Sequence, residues 1–163
     1  MKTISYEEVQ AFLFKEARYL DDHQWDDWLD LYCKDVEFWM PSWDDDNTLT
    51  SDPQKEISLI YYPSRDGLED RIFRIRTERS SATVPVTRTS HNINNIEITS
   101  QENGVVNVEF NWITLSHRYN KDFTYFGRST YTIDFSGETP KITKKYVVLK
   151  NDYIPTVIDI YQI

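Results

Sequence analysis

The sequence predicts an α+β domain in which three helices in the N-terminal half pack on a strongly curved antiparallel sheet. Three segments in the first half of the chain carry apolar residues at helical spacing. Beyond Pro85 the chain alternates between apolar and polar residues, and turn motifs at Asn103-Gly104, residues 120–122 and Ser136-Gly137 divide it into four long stretches. Short turns between such stretches favour an antiparallel meander.

The first two helices are predicted over residues 5–20 and from Asp21 to about Lys34. Ser5 and Glu8 have the spacing of a capping box, which marks a helix start. Because Asp favours helix N-termini, the pair Asp21-Asp22 is expected to begin the second helix. The residues at helical spacing in this second helix are Trp25, Trp28, Leu29 and Tyr32.

Two strands and a third helix are expected before the meander. The runs "VEFWMP" and "ISLIYY" are rich in β-prone residues and each stops at a proline, so each predicts a strand. The third helix is predicted from Asp66-Gly67 to about Arg79, with acidic residues in its first turn and arginines towards its end, as the helix dipole favours. The meander strands are predicted near residues 87–100, 105–118, 124–135 and 141–150.

Length and charge limit the classes of partner. A chain of 163 residues can bury a core as one domain over residues 1–163. Its net charge of −9 disfavours binding to nucleic acid, and no apolar run approaches the roughly 20 residues that span a membrane. Cys33 is the single cysteine, and the N-terminal segment lacks the apolar core of a signal peptide, so a cytoplasmic location is expected.

Candidate catalytic residues are few. With one cysteine and three scattered histidines, the chain cannot assemble an iron–sulfur cluster or a typical zinc site. His91 is either a general base facing a pocket or a structural histidine hydrogen-bonded beside a helix. Asp21, Asp22 and His23 are either an acid/base cluster or helix-capping residues.

Three blocks of sequence carry a family resemblance: "EARYLDDHQWDDWLDLYCKDVEFWMP", "ISLIYYPSRDGLEDRIFRIRTERSSA" and "TRTSHNINNIEI". Together they resemble the small (beta) subunit of aromatic-ring-hydroxylating dioxygenases, in the branch that acts on benzoate, toluate and anthranilate. The resemblance runs from about Val9 to Leu149. It implies a cone-shaped fold like that of nuclear transport factor 2 and scytalone dehydratase.

The resemblance also implies a non-catalytic role with no cofactor in this chain. In such enzymes a large (alpha) subunit carries a Rieske [2Fe-2S] cluster and a mononuclear Fe(II), and a reductase delivers electrons from NADH. Three large and three small subunits form an α3β3 hexamer. The implied reaction adds both atoms of O2 to an aromatic carboxylate and gives a cis-diol.

Two groups of residues are expected at subunit interfaces. The third helix concentrates arginines that need acidic partners, either within the chain or across a subunit boundary. These are Arg71, Arg74, Arg76 and Arg79. The apolar C-terminal run "NDYIPTVIDIYQI", with Tyr153, Ile154 and Tyr161, either docks on a neighbouring subunit or covers the chain's own core.

Two rival functions stay open on the sequence. One is a stand-alone dehydratase or isomerase of the same cone fold, with His91 as general base assisted by Asp22 or a tyrosine. The other is a small-ligand binding module with a cone lined by Trp39, Tyr61 and Trp112, although aromatic residues at such spacing are more often core.

Overall fold

The first helix, α1 (Tyr6–Asp21), begins at the predicted capping box. The Ser5 hydroxyl accepts a hydrogen bond from the Glu8 N–H at 3.2 Å, and the Glu8 carboxylate accepts one from the Ser5 N–H at 2.9 Å. The computed structural model describes residues 2–81, 86–154 and 157–163, without the side chains of residues 78–81. The apolar face of α1 is buried through Val9, Phe12, Leu13, Ala17 and Leu20.

The second helix, α2 (Trp25–Leu29), is shorter than the sequence predicts. Asp21 is the last residue of α1 and Asp22 is its C-cap, so the prediction that this pair begins α2 is wrong. Residues 32–34, also predicted to be helical, instead begin strand β1 (Tyr32–Pro41). Tertiary pairing outweighs the helical spacing here, because Tyr32 pairs with Ile142 of the last strand.

The remaining predicted elements are present. They are β2 (Ser58–Tyr62), α3 (Arg65–Ser81), β3 (Arg88–Glu102), β4 (Val105–Arg118), β5 (Lys121–Asp134) and β6 (Lys141–Leu149). A short 3₁₀ helix (Ile160–Gln162), which was not predicted, follows β6. The turn from β3 to β4 is the predicted Asn103-Gly104, with φ angles of 51° and 83°. Positive φ at both positions is the signature of a tight hairpin turn, which explains the glycine there.

One mixed sheet contains all six strands, in the order β2-β1-β6-β5-β4-β3. The meander from β3 to β6 is antiparallel as predicted, whereas β1 pairs with β6 in parallel. A parallel pair arises because the chain crosses over between β1 and β6 rather than turning back locally. The α+β class with three helices is confirmed.

The sheet has two different faces. Its inner face packs against the helices, and it carries buried residues such as Phe38, Phe110, Tyr131 and Val147. Strand β3, which contacts α1, has register shifts between Asn94 and Glu97 and between Ile98 and Ser100. Such bulges bend a strand, so they curve this end of the sheet around α1. The opposite, outer face carries the alternate residues of each strand.

Candidate functional site

The predicted arginine cluster on α3 divides between the interior and the surface. Arg71 turns towards the C-terminal segment, where its Nε lies 2.8 and 2.9 Å from the two carboxylate oxygens of Asp159, and its Nη2 also bonds that carboxylate. Asp159 is itself buried and caps the 3₁₀ helix by accepting a hydrogen bond from the Ile160 N–H at 2.8 Å. Arg71 therefore ties α3 to the C-terminal segment within the chain.

The other arginines of α3 lie nearer the surface. Arg76 reaches α2, with its Nη2 at 2.8 Å from Asp26 Oδ1, but both side chains are largely exposed. Arg74 is exposed, and no carboxylate lies within 4 Å of it among the described residues. Beside it, Phe73 is 67% exposed. Arg79 is on the helix, but its side chain lies outside the described residues. An interface role for this surface stays a prediction.

The C-terminal segment also divides into two parts. Ile158, Ile160 and Ile163 are buried in the chain's own core, and half-buried Tyr161 lies 6.5 Å from Trp25 between ring centroids. Ile154 packs against the same core. For these residues, the structure agrees with the alternative in which the C-terminal segment covers the chain's own core. By contrast, Tyr153 is 77% exposed, so of the three predicted docking residues it is the one with most of its side chain free.

His91 forms a close pair with Asp21, whereas the dehydratase hypothesis gives it Asp22 or a tyrosine as a partner. Its Nδ1 lies 2.5 Å from Asp21 Oδ1, and the same carboxylate accepts the His91 N–H at 3.0 Å and the Thr89 hydroxyl at 2.9 Å. Burial favours a raised pKa for Asp21, but the hydrogen bonds and charge of His91 outweigh it and lower the pKa below its ordinary value. The pair fastens the end of α1 to β3.

The second ring nitrogen of His91 has no partner among the described residues. Its Nε2 is buried, and the whole side chain is 7% exposed. When the Asp21 carboxylate accepts a hydrogen bond from Nδ1–H, the neutral ring carries its lone pair on Nε2. The Nε2 atom itself is enclosed by the protein, while other atoms of His91 line an open cavity beside Asp21 and Asp22.

The interior of the domain holds a polar network that was not among the predictions made from the sequence. Lys145 on β6 places its Nζ 3.0 Å from Glu16 Oε1 on α1, and both side chains are almost wholly buried. Tyr32 donates to Glu16 at 2.5 Å and Tyr131 donates to the other carboxylate oxygen at 2.8 Å. The Lys145 Nζ also donates to the main-chain oxygen of Ile163 at 3.3 Å and lies 5.0 Å from the centre of the Phe38 ring.

The network holds charge in a buried environment. Burial by itself raises the pKa of Glu16, but the Lys145 ammonium and the three side-chain hydrogen bonds lower it below its ordinary value. Burial raises the pKa of Tyr32 and Tyr131 well above their ordinary value, and the Glu16 charge adds to this effect. The tyrosines therefore stay neutral donors, and the Glu16–Lys145 ion pair is satisfied by hydrogen bonds within the chain.

A sequence signal for this network exists. Glu16 lies three residues after Leu13 and seven after Val9, both on the buried face of α1, so helical spacing directs its carboxylate into the core. Lys145 lies two residues before Val147 on the inner face of β6. A glutamate and a lysine at inward positions of neighbouring elements indicate a buried pair.

The predicted aromatic ligand site does not assemble. Trp112 is 4% exposed and belongs to the core, whereas Trp39 and Tyr61 are directly paired on the outer face. Strand alternation is the reason, because Phe38 and Met40 occupy the inward positions on either side of Trp39.

The described residues contain neither a cluster of metal-binding side chains nor a membrane-spanning helix. No group of three or more His, Cys, Asp and Glu side chains within them is placed to hold a metal ion. No helix in the described part of the chain has the length and hydropathy to cross a membrane.

The architecture belongs to a known class. It is similar to an NTF2-like protein with a cystatin-like fold from Novosphingobium aromaticivorans, with a TM-score of 0.61 at 9% identity, over 90% of this chain and 82% of the other. At that identity the likeness concerns the fold alone. The expected cone-shaped, nuclear transport factor 2-like fold is therefore confirmed.

Sequence comparison places the chain within that class. A model of the family "Ring hydroxylating beta subunit" matches residues 15–156, and the chain belongs to this family. It is 63% identical to benzoate 1,2-dioxygenase subunit beta of Acinetobacter baylyi, over 100% of this chain and 96% of the relative. It is 59% identical to toluate 1,2-dioxygenase subunit beta of Pseudomonas putida, over 99% of each.

A solved structure agrees with these relatives. The crystal structure of the beta subunit of benzoate 1,2-dioxygenase from Burkholderia mallei has a TM-score of 0.88 and 61% identity, covering 100% of both chains. The predicted resemblance to dioxygenase small subunits is confirmed.

Proposed function

We propose that this chain is the non-catalytic small subunit of a multicomponent dioxygenase that acts on an aromatic carboxylate of the benzoate or toluate type. The observation that carries the proposal is the 63% identity, over the whole chain, to a benzoate dioxygenase beta subunit. Identity of this extent covers the surface as well as the core, and surface residues determine which subunit is bound.

The chemistry of the reaction belongs to the partner in this proposal. A Rieske centre takes two cysteine and two histidine ligands, and a chain with Cys33 alone cannot supply them. The large subunit would hold the [2Fe-2S] cluster and the mononuclear Fe(II), and a reductase would supply electrons from NADH. Both atoms of O2 would enter the aromatic ring, giving a cis-diol. The expected assembly is an α3β3 hexamer in which each small subunit is one domain.

The interior of the domain supports a structural role. Glu16, Lys145 and two tyrosines form a buried network in which their polar groups satisfy one another. A buried network of this kind rigidifies a domain without offering a reactive group to solvent.

A second candidate, the stand-alone dehydratase or isomerase, has one observation in its favour. The His91–Asp21 pair has the geometry of a base held by a carboxylate, although its free nitrogen is enclosed. A turnover assay of the purified chain distinguishes the two candidates. A small subunit requires a large subunit for any turnover, whereas a stand-alone dehydratase or isomerase converts a hydroxylated substrate alone. We expect no turnover from the chain alone, and oxygenase activity when it is combined with a large subunit and a reductase.

A further inference from the structure

We propose that a cavity beside the turn between β4 and β5, here called the turn cavity, is a binding site for a small aromatic carboxylate. The residues of its lining that carry the argument are Arg118, Tyr119, Lys121, Phe123, Tyr125 and Tyr161. The inference goes beyond the proposed function, in which the aromatic compound reacts in the large subunit. It is drawn from the lining of the cavity and does not depend on that function.

Strand alternation places the turn cavity on the inner face of the sheet. Ser116 on β4 and Tyr125 on β5 are buried on that face. Arg118 lies two residues after Ser116, and Lys121 lies four residues before Tyr125, so both point to the same side. The C-terminal segment adds a further wall, where the Gln162 side-chain amide donates a hydrogen bond to the Tyr125 hydroxyl at 3.2 Å.

The size and the apolar lining of the turn cavity suit a ligand with an aromatic ring. Its volume is about 560 Å³, within the range of about 300–1,000 Å³ that is usual for small-molecule sites. Most of its apolar lining is aromatic, including Tyr119, Phe123, Tyr125 and Tyr161. Aromatic rings pack favourably against one another in offset or edge-to-face arrangements, so a planar ring has several partners here.

The charge of the turn cavity favours an anion. Arg118 and Lys121 are direct cross-strand partners, and both line the cavity. Like charges directly opposite each other in a sheet are destabilising, so an anion placed between these two side chains would relieve their repulsion. None of the described residues that line the cavity is acidic, although the protein as a whole has a net charge of −9.

Arg118 is held in place by neutral groups. Its Nη2 donates a hydrogen bond to the Tyr119 hydroxyl at 3.2 Å, and its Cζ lies 4.7 Å from the centre of the Tyr119 ring. Its Nε is buried without a hydrogen-bond partner in the part of the chain that the structure describes. Asp159, in the adjoining C-terminal segment, is already bonded by Arg71. The guanidinium is therefore positioned but keeps its charge for a ligand.

The backbone of the turn is strained at Tyr119. The φ angles of Tyr119 and Asn120 are 53° and 58°, as in a tight hairpin turn. Asparagine adopts this left-handed conformation readily, whereas a bulky residue such as tyrosine does so at a cost. Backbone strain of this kind concentrates at functional sites, and here it sets the Tyr119 ring against Arg118 at the cavity.

The test is calorimetric titration of the purified full-length chain with benzoate, the simplest aromatic carboxylate. We expect one site with a dissociation constant of about 1 mM or tighter. Acetate keeps the carboxylate without the ring, and benzamide keeps the ring without the charge. Each should bind at least about 10-fold more weakly than benzoate, because the aromatic lining and the two cations each supply part of the affinity.

Variants locate the binding in the turn cavity. Arg118→Met should weaken benzoate binding by about 10-fold or more, because it removes a charge-assisted hydrogen bond. Lys121→Gln alters an exposed side chain, so it keeps the test valid if Arg118→Met fails to fold, and it should weaken binding by about 3-fold. Arg128→Met is the matched control on β5, since Arg128 bonds Glu109 and does not line the cavity, and its affinity should be unchanged.

The outcomes separate the turn cavity from the proposed function. The proposal is overturned if the unaltered chain does not bind benzoate, or if the folded cavity variants bind it as tightly as the unaltered chain. Equal affinity for phosphate, acetate and benzoate would indicate general attraction of anions, which also overturns an aromatic site. Failure of the chain to bind any large subunit would contradict the proposed function, while the benzoate titration would still decide the role of the turn cavity.

Discussion

At the scale of single residues, the Glu16–Lys145 pair has the strongest expected effect on stability. Lys145→Met removes the ammonium and leaves the Glu16 carboxylate buried with the hydroxyls of Tyr32 and Tyr131 alone. We expect a loss of about 3–5 kcal/mol in the free energy of unfolding, which is typical when one partner of a buried pair is removed. Urea denaturation followed by tryptophan fluorescence measures it.

The double variant Glu16→Gln with Lys145→Met is the control for this substitution. It removes both charges, so it should be more stable than Lys145→Met alone. Equal stability of the single and double variants would contradict a functioning ion pair in the core.

The same pair predicts how stability depends on pH. The folded-state pKa of Glu16 lies below its ordinary value of 4.5, so the folded chain binds fewer protons than the unfolded chain in this range. The stabilisation is present above about pH 4.5 and is lost as the pH falls through the folded-state pKa. When the urea midpoint is measured at pH values from neutral to acidic, it should decrease within this pH window. Glu16→Gln should make the plot of midpoint against pH flatter. If the midpoint of the variant depends on pH as steeply as that of the unaltered chain, the sensitivity to acid arises from other carboxylates.

His91 provides a second test at this scale. We expect His91→Gln to leave most of the turnover of an assembled dioxygenase intact, because glutamine can still hydrogen-bond Asp21 while it lacks a basic nitrogen. Loss of a general base would instead lower turnover by about 10²–10⁴-fold. A loss of that size with normal assembly and thermal stability would contradict a purely structural role for His91.

At the scale of elements, the C-terminal segment combines two roles. Ile158, Ile160 and Ile163 fill the core, and Asp159 anchors Arg71. Deletion of residues 153–163 is therefore expected to unfold the chain, as seen by loss of the cooperative thermal transition, because it removes buried apolar surface and leaves Arg71 without this carboxylate. A truncated chain that stays folded and still binds a large subunit would contradict both roles of the segment.

Point variants separate the docking role from the core role. Tyr153→Ser and Arg74→Glu alter exposed side chains, so they should leave the thermal transition in place. If these surfaces meet the large subunit, each variant should weaken binding to it in a titration. Lys55→Glu, in the loop before β2, is a charge-reversal control that should bind normally.

The elements also show how far local sequence patterns extend. The capping box of α1, the Asn103-Gly104 turn and the alternation of β4 and β5 are local signals, and each predicted its element correctly. The end of α2 was predicted wrongly because Tyr32 continues the helical spacing but pairs with Ile142, more than a hundred residues later. Pairing between β1 and β6 depends on the crossover, which leaves no short-range pattern in the sequence.

At the scale of the whole molecule, the family and fold could be predicted from the sequence, but the arrangement of the candidate site could not. The arginines of α3 were found as a group, yet their division between Asp159, Asp26 and solvent depends on how three elements meet. The Asp21–His91 pair joins residues that are 70 positions apart.

The central claim is that this domain functions by holding a catalytic large subunit. The most direct test is co-expression with a large subunit that carries a C-x-H…C-x-x-H Rieske motif, followed by native mass spectrometry and iron analysis. We predict a complex with equal numbers of both chains, with iron in the large subunit and none in this chain when it is purified alone. An active large-subunit assembly that excludes this chain, or stoichiometric iron in this chain alone, would contradict the claim.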